Sequence, residues 1–178
     1  NREFYRSDDQ LLCISKQTKN LVENVLRDHK KPDWAVKYVP HGIDEKKYFP
    51  IVNDLEFEVF KEKYLGKEDL DFVVMWNSRN IRRKNASDLI LAWRTFLDQL
   101  PTERAKKCLL IMKTEPVFEH GTDLPAVIEA VCDPELHKVK IIHERFDDKG
   151  LNYLYNCSDA HMFMTDNEGW GLGLTESL

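Results

Sequence analysis

From Asp71 onward the chain alternates between short apolar runs and amphipathic segments, and this alternation constrains the fold more than any other feature. The runs are Asp71-Phe-Val-Val-Met-Trp76, Cys108–Lys113, Val139–His143 and Ala160–Met164. Between them, Leu89, Ile90, Trp93, Phe96, Leu97 and Leu100 recur at helical spacing, as do apolar residues over Leu124–Val131 and over Gly150–Cys157. Runs this short read as buried strands, and the segments between them as helices packed on those strands. Repeated strand–helix alternation implies a parallel, doubly wound α/β sheet. Right-handed crossovers then bring loops 77–85, 143–148 and 165–171 to one edge of the sheet. In open sheets that carboxyl edge is where ligands bind.

The chemistry on these loops is concentrated. The last stretch, Asp166 to Leu178, holds two carboxylates, Glu168 and Glu176, with seven residues between them and glycines at 169, 171 and 173. Glu168 belongs on the loop leaving the last strand, and Glu176 about one turn inside a helix that opens near Leu172. Free backbone N–H groups at that helix start suit an anion, and glycine lets a ligand approach the backbone. Loop 77–85 carries Arg79, Arg82, Arg83 and Lys84, a charge density that suits a diphosphate. Asn85, followed three residues later by Asp88, predicts a capped helix start. His143 and Glu144 have no third residue at metal-ligand spacing.

Upstream, Gln10–Ser15 reads as a strand and Ser15 as the N-cap of a helix over Lys16–Asp28, with Leu21, Val22, Val25 and Leu26 on its apolar face. Lys30–Asp33 breaks that helix, and Ala35–Val39 is a second strand, stopped by Pro40. Pro40 and Gly42 predict a sharp turn around His41. Asp54–Leu65 predicts an amphipathic helix with Leu55, Val59, Phe60 and Tyr64 on one face and Gly66 as its stop.

The net charge of −5 over 178 residues argues against non-specific binding to nucleic acid or to an anionic membrane. No run approaches the roughly 18 apolar residues that span a bilayer, and the first residues are not a signal peptide. Cys13, Cys108, Cys132 and Cys157 show no Cys-x-x-Cys spacing and sit in apolar runs, so buried free thiols in a reducing, cytoplasmic setting are expected. The terminal helix is only begun at Leu178, so the chain reads as cut at both ends.

The segment Glu168-Gly-Trp-Gly-Leu-Gly-Leu-Thr-Glu176 resembles the Glu–seven residues–Glu motif of retaining glycosyltransferases of the GT-B fold, family 4 in particular. Trp170 stands for the usual Phe, Gly173 for Pro, and Ser177 for Ala. Arg79, four residues, Lys84 resembles the family's Gly-Arg, four residues, Lys-Gly, with Ser78 and Asn85 in place of the glycines. Val39-Pro-His-Gly-Ile-Asp44, then Tyr48-Phe-Pro50, resembles the family's interdomain link, and Ser158-Asp-Ala160 its approach to the last strand. The resemblance covers roughly residues 10 to 178.

It implies a Rossmann-like, nucleotide-sugar donor-binding domain over 51–178, incomplete at its C-terminus, and the end of the acceptor domain plus linker over 1–50. It further implies that Arg79 and Lys84 hold the donor diphosphate and that Glu168 acts at the catalytic centre on hydroxyls of the transferred sugar. Gly169 and Gly171 border the donor, Glu176 binds its ribose, and Arg145 and Phe146 lie near its base. A hexose would pass to an unidentified glycan, lipid or protein hydroxyl with retention, without metal or cofactor. A nucleotide-sugar epimerase of the same fold and a non-catalytic nucleotide-binding module remain as alternatives. Glycoside hydrolysis, the other use of paired carboxylates, needs no phosphate-binding loop. With most of an acceptor domain missing, the chain alone is expected to turn over weakly or not at all.

Overall fold

The structure, a computed structural model, describes residues 2–28 and 31–178. It divides into two compact units, Asn1–Ile43 with Glu168–Leu172, and Asp44–Asn167 with Gly173–Leu178.

In the first unit, α1 (Arg2–Ser7), β1 (Leu11–Cys13), α2 (Lys16–Val25) and β2 (Val36–Tyr38) follow in order. β1 and β2 pair in parallel, with Leu11 opposite Val36 and Cys13 opposite Tyr38. Ser15 caps α2 as expected, its hydroxyl accepting the Thr18 N–H at 3.0 Å. Val22, Leu26, Cys13 and Val36 form a small core. Leu21 lies outside it and is exposed, so the apolar face of α2 is narrower than its spacing suggests. Of the expected break at Lys30–Asp33, Lys30 lies outside the described residues. No turn forms over residues 39–44, and Gly42 lacks a positive φ, so the sharp turn expected at Pro40–Gly42 is absent.

The second unit carries the sheet. Its elements are α3 (Leu55–Leu65), β3 (Phe72–Asn77), a 3-10 turn (Arg82–Lys84), α4 (Ala86–Leu97), α5 (Thr102–Ala105), β4 (Cys108–Lys113), α6 (Leu124–Val131), β5 (Val139–Ile142), α7 (Asp148–Asn156) and β6 (Ala160–His161). α8 (Leu172–Glu176) starts on the last residue of the first unit and continues in the second. The strands are parallel in the order β5-β4-β3-β6. The chain therefore steps outward from β3 to β5, then returns across the sheet to lay β6 on the other side of β3. The winding direction reverses between β3 and β6, the kind of point where a crevice opens at the carboxyl ends of the strands.

Alternate residues of each strand face opposite layers. Val74, Trp76, Leu110 and Met112 pack under α4, with Leu89, Ile90, Trp93 and Leu97, and under Leu124 of α6. Val73, Met75, Leu109, Ile111 and Ile142 pack on the other face against Tyr64 of α3 and Leu154 and Tyr155 of α7. This is the doubly wound parallel sheet that the alternation implies, and each fully buried Leu, Ile or Met side chain adds roughly 1.5–3 kcal/mol of transfer free energy.

Two expectations are corrected. α3 buries Phe57 and Tyr64, whereas Leu55 and Val59 are 85% and 71% exposed. Asp54 caps the helix by accepting the N–H groups of Glu56 and Phe57, and its other oxygen accepts the Tyr153 hydroxyl at 2.7 Å. The cap is thus fixed by α7, and Phe57 and Phe60 turn toward Tyr153, their ring centroids 5.5 and 5.4 Å away. The last strand is also shorter than its apolar run. Only Ala160 and His161 stand in register with β3, flanked by bonds from the Asp159 and Met162 N–H groups to the Val73 and Met75 carbonyls, while the Met162 and Met164 side chains pack beside the α4 layer.

Candidate functional site

β3 ends at Asn77, and the basic loop begins there. Asn80 is only 1% exposed. Its Nδ2 donates to the carbonyls of Thr122 (2.6 Å) and Glu115 (3.1 Å), and its Oδ1 accepts the Thr122 N–H at 3.0 Å. One amide side chain thus ties the two loops together, beside the backbone bond from the Arg82 N–H to the His120 carbonyl at 3.1 Å. Gly121 is required by this seat, because a Cβ there would fall 2.1 Å from the Asn80 carbonyl oxygen.

The four cations have different surroundings. Arg79 and Arg82 are exposed. Lys84 is 8% exposed, with Nζ 5.3 Å from the centroid of Phe163, within cation–π range. Arg83 donates from Nη1 to the Asn167 carbonyl at 2.6 Å, while its own carbonyl accepts the Asp166 N–H at 2.8 Å. Asn85 sits in the left-handed region (φ 48°, ψ 42°) and makes no side-chain cap, contrary to the expectation from Asp88. Its Nδ2 donates instead to Asp166 Oδ1 at 2.6 Å. The basic loop is therefore fastened along one flank to the 163–167 segment.

Glu176 reaches the same edge from α8. Tyr155, buried on α7, accepts from Asn77 Nδ2 and donates to Glu176 Oε2, both at 2.8 Å. Burial, reinforced by the Glu176 carboxylate, pushes the Tyr155 phenol far above the ordinary tyrosine range, so it stays a donor. Tyr48 lies edge-on to Tyr155 at 5.9 Å, and its phenol too is raised, by burial and then by Glu176. Gly173 seats α8 on the sheet, as a Cβ there would lie 3.3 Å from the Asn77 carbonyl oxygen.

Arg79, Lys84 and Glu176 thus all belong to the second unit, at the ends of β3 and β6. Glu168, Gly169 and Gly171 belong to the first. There Gly169 packs closely on Ile14, Trp170 lies edge-on to His41 at 5.9 Å, and Gly171 has φ +89°, a backbone that favours glycine. Arg145 and Phe146 follow β5, the outermost strand, two strands away from β3. Arg145 is exposed, and Phe146 packs on Phe60 and Tyr64 with centroids 5.7 and 5.4 Å apart. The triplet Asp69-Leu70-Asp71 has the Asp-x-Asp spacing of a metal-binding pair but lies at the opposite, amino end of β3, with Asp69 paired to Lys107 at 2.6 Å. Among the described residues no group of three His, Cys, Asp or Glu side chains is placed to hold a metal ion.

Sequence reasoning did not find Asn77, Tyr155, His161 or Ser177. Tyr155 reads as one more apolar residue on the spacing of α7, and only the polar tip of a buried tyrosine, which needs a partner, marks it out.

The fold defines a class: one Rossmann-like half of the GT-B fold, to which the solved structures of similar shape belong. A glycosyltransferase from Rickettsia africae matches with a TM-score of 0.71 and 18% identity over 99% of this chain and 44% of its own. Sucrose-phosphate synthase from Thermosynechococcus elongatus matches at 0.67 and 17%, over 99% and 40%. The E. coli trehalose-6-phosphate structure bound with UDP-2-fluoro glucose matches at 0.71 and 15%, over 99% and 44%. The chain thus spans less than half the length of these structures. Comparison with protein-family models and with curated proteins gives no significant match. Among the described residues no helix is long and apolar enough to cross a membrane.

Proposed function

We infer that this chain is the donor-binding half of a glycosyltransferase, similar to retaining family 4, which passes a hexose from a nucleotide-diphosphate sugar to an acceptor hydroxyl. The observation that carries the reading is the placement of Arg79, Lys84 and Glu176 within one unit, at the reversal point between β3 and β6. The UDP-sugar bound by a structure of the same fold supports it.

On this reading Arg79, exposed at the crevice, pairs with the donor diphosphate and offsets the charge that grows on the leaving group. Lys84, held under Phe163, is preset in position rather than searching from a flexible stem, which lowers the ordering cost of binding. Glu176 accepts the ribose hydroxyls with oxygen capacity left over from its bond to Tyr155. The charge work of the transfer falls to Arg79 and Lys84, without a metal ion. Glu168, beside Asn167 in the chain, is assigned the hydroxyls of the transferred sugar on the family resemblance alone. The same resemblance assigns Gly169 and Gly171 to the donor, and Arg145 and Phe146 to the base.

Calorimetric titration with UDP-, GDP- and ADP-sugars, beside Arg79→Ala and Glu176→Ala, tests this. Loss of one charge-assisted contact should weaken binding by about 1.5–3 kcal/mol, roughly tenfold or more. Binding that both variants retain unchanged contradicts the reading.

A further inference from the structure

Glu176 lies on α8 (Leu172–Glu176), and its position depends on what fastens that helix. The fastening is a chain of hydrogen bonds through His161, the last residue of β6. The Asn77 N–H points at His161 Nε2, 3.3 Å away, and His161 Nδ1 lies 2.7 Å from Ser177 Oγ. Ser177 in turn donates to the Leu174 carbonyl at 2.8 Å. An N–H aimed at Nε2 requires a lone pair there, so the ring proton sits on Nδ1 and is donated to Ser177. One neutral imidazole therefore joins the end of β3, the end of β6 and the C-terminal end of α8. Ser177 stands where the family resemblance has Ala, so this connection belongs to this chain and not to the family's motif.

We propose that neutral His161 is a positioning residue that clamps the Glu176 helix to the crevice, and that protonating it releases both the helix and a bound nucleotide sugar. The second half rests on the donor-site reading; the clamp does not. An imidazolium would carry an N–H on Nε2 facing the Asn77 N–H, donor against donor. The groups facing the ring come from each element around it: the Asn77 amide from β3, the Tyr155 ring (5.8 Å) from α7, the Gly173 carbonyl from α8, and Ser177 just past the end of α8. Tyr48, edge-on to Tyr155, completes the surroundings on the side of Glu176. Burial outweighs the pull of the Gly173 carbonyl and holds the ring below the ordinary histidine value of 6.5. A folded value below the unfolded one means that the clamp is intact above about 6.5 and weakens as pH falls from there through the folded value.

Long-range nitrogen–proton spectra of the histidine rings, recorded over a pH series, test the clamp directly. The expected result is an Nδ1–H tautomer for His161, with the amides of Gly173–Ser177 shifting at the ring's own midpoint. In Ser177→Ala these amides should no longer follow the ring. An Nε2–H tautomer, or amides of 173–177 that ignore the titration, overturns the proposal. The second arm measures UDP-glucose affinity from about pH 7.5 to about pH 5.5. This donor lacks the terminal phosphate whose second pKa, about 6, would confound the series. Affinity should fall as the pH is lowered in the unaltered chain, by less than the roughly tenfold that a ring titrating at its ordinary value would give at pH 5.5, and stay level in His161→Asn, which keeps a donor toward Ser177 but does not titrate. An equal fall in both overturns the pH coupling. Absence of binding at every pH, by UDP-glucose and by GDP- and ADP-sugars in its place, counts against the donor reading and the release step, while the ring and amide signals still decide the clamp.

Discussion

At the scale of single residues, Tyr155 carries the most consequence. Its hydroxyl joins Asn77 to Glu176 from a buried position. Tyr155→Phe keeps the ring and leaves an amide and a carboxylate each short of a partner, so urea melts should show a loss of about 1–3 kcal/mol. A melt that overlays the unaltered chain would mean that water replaces the hydroxyl without cost. Gly121→Ala is expected to be as damaging for another reason. Its methyl would meet the Asn80 carbonyl oxygen at 2.1 Å and Asn80 Oδ1 at 2.5 Å. Such overpacking against backbone costs about 1–3 kcal/mol, and the same melts read it. Neither role can be read from the sequence, because each depends on a partner dozens of residues away.

At the scale of elements, the sequence is legible wherever local signals and burial agree. β4 and α6 have the bounds the sequence predicts, Cys108–Lys113 and Leu124–Val131. A solid apolar run marks the first; an Asp123 cap followed by Pro125 marks the second. α1 and α5 are six and four residues long, too short for a repeat to show. The phase of α3 is not legible locally, because aromatic contacts with α7 decide which face turns inward. The basic loop shows the same limit: its charge is plain in the sequence, but the burial of Lys84 and the left-handed Asn85 are not. Asn85 separates two contributions. Asn85→Gly loses the bond to Asp166 and keeps an easy backbone, whereas Asn85→Ala also pays left-handed strain. The alanine variant should be less stable than the glycine variant by about 1–2 kcal/mol, as compared by thermal melts.

At the scale of the whole molecule, the parallel doubly wound sheet was legible from the alternation of runs alone. The order β5-β4-β3-β6 was not, since nothing local says on which side of β3 the returning strand pairs. That placement sets Asn77 beside His161, at the reversal point on which the functional reading depends. The thiols report on integrity of the second unit. Cys157 is buried beside Phe57 and Tyr153, and burial pushes its pKa up to about 12. It should resist alkylation in the native chain at neutral to mildly alkaline pH and react fully once denatured, with mass spectrometry of the labelled peptide as the check.

The central claim, a nucleotide-sugar site at the ends of β3 and β6, is tested most directly by mapping amide shifts on adding whichever of UDP-, GDP- or ADP-sugar binds tightest. The account predicts saturable shifts concentrated in Asn77–Asn85 and Gly173–Ser177. Shifts confined to other parts of the sheet, or none with any of the three donors, would contradict it.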